Sequence, residues 1–334
     1  MSKKIKDTDY LAISARIKAM ETGLLTGERM EQMLAARSDE EIMRVLQECG
    51  YPDFSLDRPE EMDAALSKAR EETLLDLGGS APDAGYLDVF QLKYDYHNVK
   101  ALLKAKAVGA DAASMLMDLG RVPVSELQEA LDSGEDASLP TMLAQAAAEA
   151  KEVLETTRDP QLSDFVLDRW YYKDLMAAAR KTGSSFLTGY VRASIDAANL
   201  RSLVRTLRMG RDADFLKGVL FEGGDIAADS VAQVAASVGS GLAELYASTD
   251  LKAAAESGAK ALDGGSLTEF EKLCDDAVSA YLAGAQLVPF GEAPLVGYLA
   301  ARETEYTNLR IILLGRKAGL SADVIRSRLR ESYV

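Results

Sequence analysis

DYHNVKALLKAKAVG, residues 95–109, occurs three times in variant form: DAANLRSLVRTLRMG fills 196–210 and EYTNLRIILLGRKAG fills 305–319. An acid (Asp95, Asp196, Glu305) stands three residues before an Asn (Asn98, Asn199, Asn308). An aliphatic residue and then Lys or Arg follow, and a Gly (Gly109, Gly210, Gly319) closes each copy eleven residues after the Asn. Two residues past each Gly comes Asp111, Asp212 or Ser321, a side chain able to cap a new helix. The pattern reads as a long helix, a glycine stop and a second, capped helix. Copies 101 and 109 residues apart are too widely spaced for solenoid units of about 20–50 residues. The sequence therefore predicts an all-α chain of three similar helical domains, 1–110, 111–211 and 212–334, the last with a terminal helix.

The 334 residues are 48% hydrophobic, with mean hydropathy −0.08, enough for substantial cores. No run approaches the roughly 18–20 apolar residues of a membrane span, and MSKKIKDTDY lacks the apolar segment of a secretion signal. A soluble cytoplasmic protein is expected. Cys49 and Cys274 are far apart, which indicates neither a disulfide framework nor a zinc site. One histidine, His97, excludes zinc sites that need two imidazoles and leaves little room for a histidine triad. Ala198 and Thr307 stand at its repeat positions, so His97 is incidental to the pattern.

The net charge of −15 argues against nucleic acid as a partner. The charge is uneven: 111–169 carries thirteen acids against four cations, whereas 302–331 carries seven cations against four acids. Such alternation suits docking between charged protein faces.

Taken in order, Thr26 and Asp39 open short helices, and Pro59 opens one that ends near Leu77. The first repeat helix runs from about Tyr86 to Val108. Asp111 is expected to cap a helix through Met115, Leu116 and Leu119, and SELQ from Ser125 to Gln128 reads as a capping box. An Ala-rich helix is expected from Thr141 to Thr157 and another from Asp164 to Lys181. In the third unit Phe215, Leu216 and Val219 answer the Met115 helix, and a helix at about Leu267 to Leu282 answers the Trp170 helix. Boundaries within 227–265, rich in Ala and Gly, are not marked.

The acid and the Asn share one helix face. This suits a structural hydrogen-bond clamp repeated in each domain; three copies of one chemistry favour architecture over catalysis. Lys100, Arg201 and Arg310 share the position two after the Asn, and Lys104 and Arg205 the position six after. They form either intradomain ion pairs, worth about 0–1 kcal/mol each if exposed, or a basic inner rim for an acidic partner. Trp170, Tyr171 and Tyr172 are expected in the core. FEGGD (221–225) and LDGGS (262–266) lack the Lys-Ser/Thr ending of a phosphate loop and read as turns. No catalytic, metal or cofactor-binding residue is singled out, and no small-molecule substrate is indicated.

YDYHNVKALLKAK (94–106), IDAANLRSLVR (195–205), GYLAARETEYTNLRIILLGRKAGL (297–320) and the opening YLAISARIKAMETGLL (10–25) together resemble the C subunit of bacterial and archaeal V/A-type ATPases (ATP synthases), the counterpart of the d subunit of the eukaryotic V-ATPase. The resemblance spans essentially the whole chain. It implies a funnel of three helical domains about a pseudo-threefold axis, peripheral on the cytoplasmic face of the membrane, with one side on the membrane rotor ring and a cavity for the central-stalk subunits. The chain would transmit torque without an active site or a cofactor. The alternatives are a helical adaptor unrelated to ATPases, which gene neighbourhood would discriminate, and an enzyme with paired carboxylates, which requires acids converging in a pocket with perturbed pKa values.

Overall fold

The computed structural model describes residues 6–83, 85–133, 138–331 and 333, and those residues contain α- and 3-10 helices and no β-strand. The chain begins with α1 (Leu11–Met20), α2 (Gly27–Ala35), α3 (Asp39–Glu48) and α4 (Pro59–Ser80), which leads into the first repeat helix, α5 (Gly85–Val108). Then α6 (Val124–Ser133), α7 (Thr141–Thr157) and α8 (Pro160–Thr182) lead into the second, α9 (Ser185–Arg208). The last run is α10 (Ala213–Lys217), α11 (Ala228–Ala236), α12 (Leu242–Leu245), α13 (Lys252–Leu262) and α14 (Leu267–Ala283), followed by the third repeat helix, α15 (Glu292–Lys317), and α16 (Ala322–Arg326).

Local chemistry accounts for most of these ends. Thr26, Ser38, Asp159, Ser184, Asp212, Ser266 and Ser321 each accept a backbone N–H at the helix they open. Gly109, Gly210 and Gly319 have φ of +67°, +67° and +71°, a region where a Cβ is disfavoured. The amides of Ala110, Arg211 and Leu320 return to the carbonyls of Ala105, Thr206 and Gly315 at 2.9, 3.0 and 3.0 Å, the Schellman closure in triplicate.

Three expectations need correction. Ser38, not Asp39, caps α3. Asp111 accepts from Ala113 and precedes a 3-10 turn, Ala113–Met115; the chain cannot continue as helix because Met117 is held against α5 by Asn98. Helix α6 starts one residue before Ser125, and its Val124 amide is taken by Asp118 at 3.0 Å, so SELQ lies inside the helix instead of forming its cap.

The first halves of the repeat helices are shared: Tyr86–Leu92 of α5, Leu187–Ala198 of α9 and Leu295–Ala301 of α15 contribute to one core that also takes in α1 and the end of α4. The second half of α5 stays in that core, whereas those of α9 and α15 enter cores of their own. The second half of α5 packs with α6, α7 and α8, and that of α9 with α10–α14. The second half of α15, from Tyr306 to Leu313, packs with Met30, Met33 and Leu34 of α2, Ile42 and Leu46 of α3 and Met62 and Leu66 of α4. The two ends of the chain thus build one core.

Candidate functional site

The acid and Asn of each copy are buried, where an unpaired amide or carboxylate costs about 1–3 kcal/mol. All three Asn side chains meet that demand in the same way, closing a two-bond ring on one backbone residue. Asn98 donates to the carbonyl of Met117 at 2.8 Å and accepts its N–H at 2.9 Å. Asn199 does the same with Phe221, at 2.8 Å both ways. Asn308 does so with Arg330, at 3.0 and 2.8 Å.

The acids grip the next few residues. Asp95 accepts the Val122 amide at 3.2 Å and the Arg121 guanidinium at 2.8 Å. Asp196 accepts the amides of Asp225 and Ile226 at 2.9 and 3.1 Å. Burial lifts both carboxyls above the ordinary aspartate range, and only in part do Arg121 and backbone N–H groups for Asp95, and backbone N–H groups for Asp196, pull them back. The third acid reaches a different part of the chain. Glu305 instead takes the amide of Leu25 at 2.7 Å and the Tyr51 hydroxyl at 2.5 Å, both from the N-terminal segment. Val122, Ile226 and Leu25 are therefore equivalent. Two residues before each stands a glycine, Gly120, Gly224 and Gly23, and two residues after each a helix begins, α6, α11 and α2.

The cations of the repeat form a ladder to the helix that returns along each repeat helix. Lys100 pairs with Asp168 at 2.5 Å, Arg201 with Asp275 and Arg310 with Asp63 at 2.9 Å. Four residues on, Lys104 pairs with Asp164 at 2.5 Å and Arg205 with Glu271 at 2.7 Å, whereas the third copy has Leu314 and Pro59 at these places. The acid–Asn pairs and this ladder build the units. The open surface lies beside them.

A cavity of about 330 Å³ is lined by all three repeat helices together with α8 and α14. Lys93, Arg201, Arg330, Asp275 and Glu303 supply its charge. Asp275 lies between Arg201 and Arg330, and Glu303 is held by Lys93 and by the Tyr94 hydroxyl at 3.0 Å. Burial pushes the Glu303 carboxyl up, but Lys93 and Arg70 outweigh it and leave the group below the ordinary glutamate range. Of the aromatic triplet, Tyr171 and Tyr172 line this cavity while packing against the core, and Trp170 donates to Glu149 at 2.7 Å.

Two grooves adjoin the cavity. One, about 490 Å³, shares Thr307 with it and is lined by Ile311, Leu314 and Leu320 with Arg70, Arg310 and Arg328. The other, about 650 Å³, shares Tyr172 and Arg201 and is lined by Phe165, Phe215 and Met209 with Arg205, Arg208 and Asp168. The sequence marked Arg201, Arg205 and Arg310. It did not mark Arg70, Arg328, Arg330 or Lys93, which stand outside the repeat pattern and reach this surface only through folding. Cys49 and Cys274 are buried, and burial pushes their thiols up to about 11 and about 12, so neither is a nucleophile at neutral pH. His97 meets the Met115 carbonyl at 2.9 Å. FEGGD supplies the clamped Phe221 and Asp225, and no cluster suited to hold a metal occurs among the described residues.

Comparison with known proteins matches the chain to one family along almost its whole length. The ATP synthase (C/AC39) subunit family profile aligns with residues 13–328. The C subunit of the V-type sodium ATPase of Enterococcus hirae is 26% identical over 330 residues, covering 97% of this chain and 99% of the relative. The C subunit of the A-type ATP synthase of Methanocaldococcus jannaschii is 27% identical over 362 residues, covering 96% and 86%. Its counterpart in the A-type ATP synthase of Halobacterium salinarum is 26% identical over 368 residues, covering 96% and 97%.

Proposed function

The chain belongs to the ATP synthase (C/AC39) subunit family, and from that premise we propose that it is a non-catalytic central-stalk subunit of a V/A-type rotary ATPase. In this reading it couples the soluble shaft to the ion-translocating rotor ring of the membrane and carries torque between them. The observation that carries the reading is the match along nearly the full length of both this chain and subunits of such complexes. No described helix is long and apolar enough to cross a membrane, which fits a piece seated peripherally on the ring, at the cytoplasmic face.

The fold supplies a physical basis for the role. A coupler must resist shear, and close-packed helices joined through a shared core do so better than flexibly linked domains. We infer three units about a pseudo-threefold axis, forming a funnel whose hollow is the shared cavity. The sequence divides into its three copies at 1–110, 111–211 and 212–334. In space, α2–α4 complete the unit founded on α15. Affinity purification from detergent-solubilised membranes through a tag on this chain should recover the catalytic, shaft and ring subunits of one ATPase. Recovery of the chain alone, or with unrelated proteins, would favour the helical adaptor.

A further inference from the structure

The far ends of the three repeat helices are not alike. Nine residues after each Asn stand Ala107, Arg208 and Lys317. In two units the cation at this place closes the joint that leads into the returning helix. Arg208 donates to the carbonyls of Ala261 and Gly265, ahead of α14, and Lys317 to that of Asp57, ahead of α4. Ala107 has no side chain with which to do so, and beside it a cavity of about 480 Å³ opens among α5, α6, α7 and the start of α8. It has no lining residue in common with the shared cavity or its two grooves. Its lining includes the buried Leu103, Leu131 and Leu154, together with Val108, which is 75% exposed.

Three cations line this hollow against one carboxylate, Glu155. Lys106 is already engaged: it donates to the Leu131 carbonyl at 3.2 Å and pairs with Asp132 at 2.9 Å, much as Arg316 donates to the Leu34 carbonyl at 3.0 Å in the third unit. Lys151 and Arg158 have no ion-pair partner among the described residues. Arg158 is also held in the left-handed region, at φ 54° and ψ 23°, where residues with a Cβ are uncommon. The matching joint of the second unit turns on a glycine, Gly264, with φ +101°. An unpaired arginine kept where glycine is the easier residue, beside an apolar hollow, points to a role beyond closing the turn.

We propose that this hollow binds a small anionic amphiphile, an aliphatic chain that ends in a carboxylate. The aliphatic part lies on Leu103, Leu131 and Leu154, and the carboxylate meets Arg158 and Lys151, the guanidinium offering a planar fork that matches it. The volume falls in the range of about 300–1,000 Å³ usual for small-molecule sites, which are mostly apolar with a few placed polar groups. None of the described residues that line it is aromatic, so nothing there stacks a nucleobase, and a bare inorganic anion would leave the leucines uncovered. Occupancy of this site is independent of the coupling role proposed above.

The test titrates the full-length protein with octanoate, below its micelle concentration, by isothermal calorimetry, beside 1-octanol and acetate. Octanoate should bind saturably, 1-octanol roughly tenfold or more weaker for want of the charged hydrogen bonds, and acetate not measurably. Ala107→Arg copies the second unit at an exposed helix position; it should close the hollow and abolish binding. Arg158→Gly copies the glycine of the second unit's joint, so it should keep the turn while weakening octanoate roughly tenfold. Lys217→Gln combined with Lys252→Gln, two lysines that do not line the hollow, should bind as the wild type does. Absence of saturable octanoate binding by the wild type, equal affinity for 1-octanol, or undiminished binding by either Ala107→Arg or Arg158→Gly overturns the proposal.

Discussion

Gly120 and Gly224 stand against the acids of the first two clamps, and a Cβ added to either would come within 2.1 and 2.0 Å of the Asp95 and Asp196 carboxylate oxygens. At the equivalent Gly23 nothing lies within 4 Å of an added Cβ, because Glu305 is one methylene longer than Asp and reaches the backbone from further away. Gly120→Ala and Gly224→Ala should therefore each cost about 1–3 kcal/mol in urea unfolding, while Gly23→Ala stays within about 0.5 kcal/mol. Equal costs at all three sites would contradict the clamp geometry. These glycines were invisible from the repeat alone, since their distance from the Asn differs between copies and, in the third, runs through the opposite end of the chain. Glu303 makes a second test. Its carboxyl is depressed in the folded state, so it contributes stability above the ordinary glutamate pKa of about 4.3, and that stability is lost as pH falls through the lower folded value. Glu303→Gln should cost about 1–3 kcal/mol at pH 7, and the gap to the wild type should close as both are titrated into that acid range.

Among elements, the long helices with their glycine stops were legible because propensity, capping and periodicity agreed along them. Less legible were the short pieces between, where tertiary contacts override local signals: Asn98 draws 116–117 out of the helix that Asp111 would otherwise cap. The pairing of α2 with α6 and α11 was also hidden, although Met30, Leu127 and Val231 sit five residues after equivalent clamp residues and are all buried. In the first two units Asn and acid hold one continuous loop. In the third, Asn308 holds Arg330 and Glu305 holds Leu25, two segments far apart in sequence that can release independently, with no short loop to keep one near while the other opens. Native-state hydrogen exchange should accordingly show the amides of Leu25 and Arg330 less protected than those of Ile226 and Phe221. Equal or greater protection at the chain ends would show that the seam is as firm as the closed units.

For the molecule as a whole, the repeat marked which helices matter but not how the units close. Covalent order suggested three successive blocks, and packing instead joins the first helices to the last. The charged hollow was half legible: the arginines in register with the repeat stood out, whereas Arg70, Arg328 and Arg330 come from α4 and from the C-terminal segment and gather only in the folded chain. A body with its three longest helices locked in one core, and a cationic hollow in an otherwise acidic surface, suits a part that is gripped and turned. That claim is tested most directly by measuring ATP hydrolysis and ion transport together in membranes prepared with and without this chain. If it couples shaft to ring, its removal leaves hydrolysis by the catalytic head running while ion transport falls away, and adding the purified chain back restores transport. Undiminished ion transport in its absence would contradict the account.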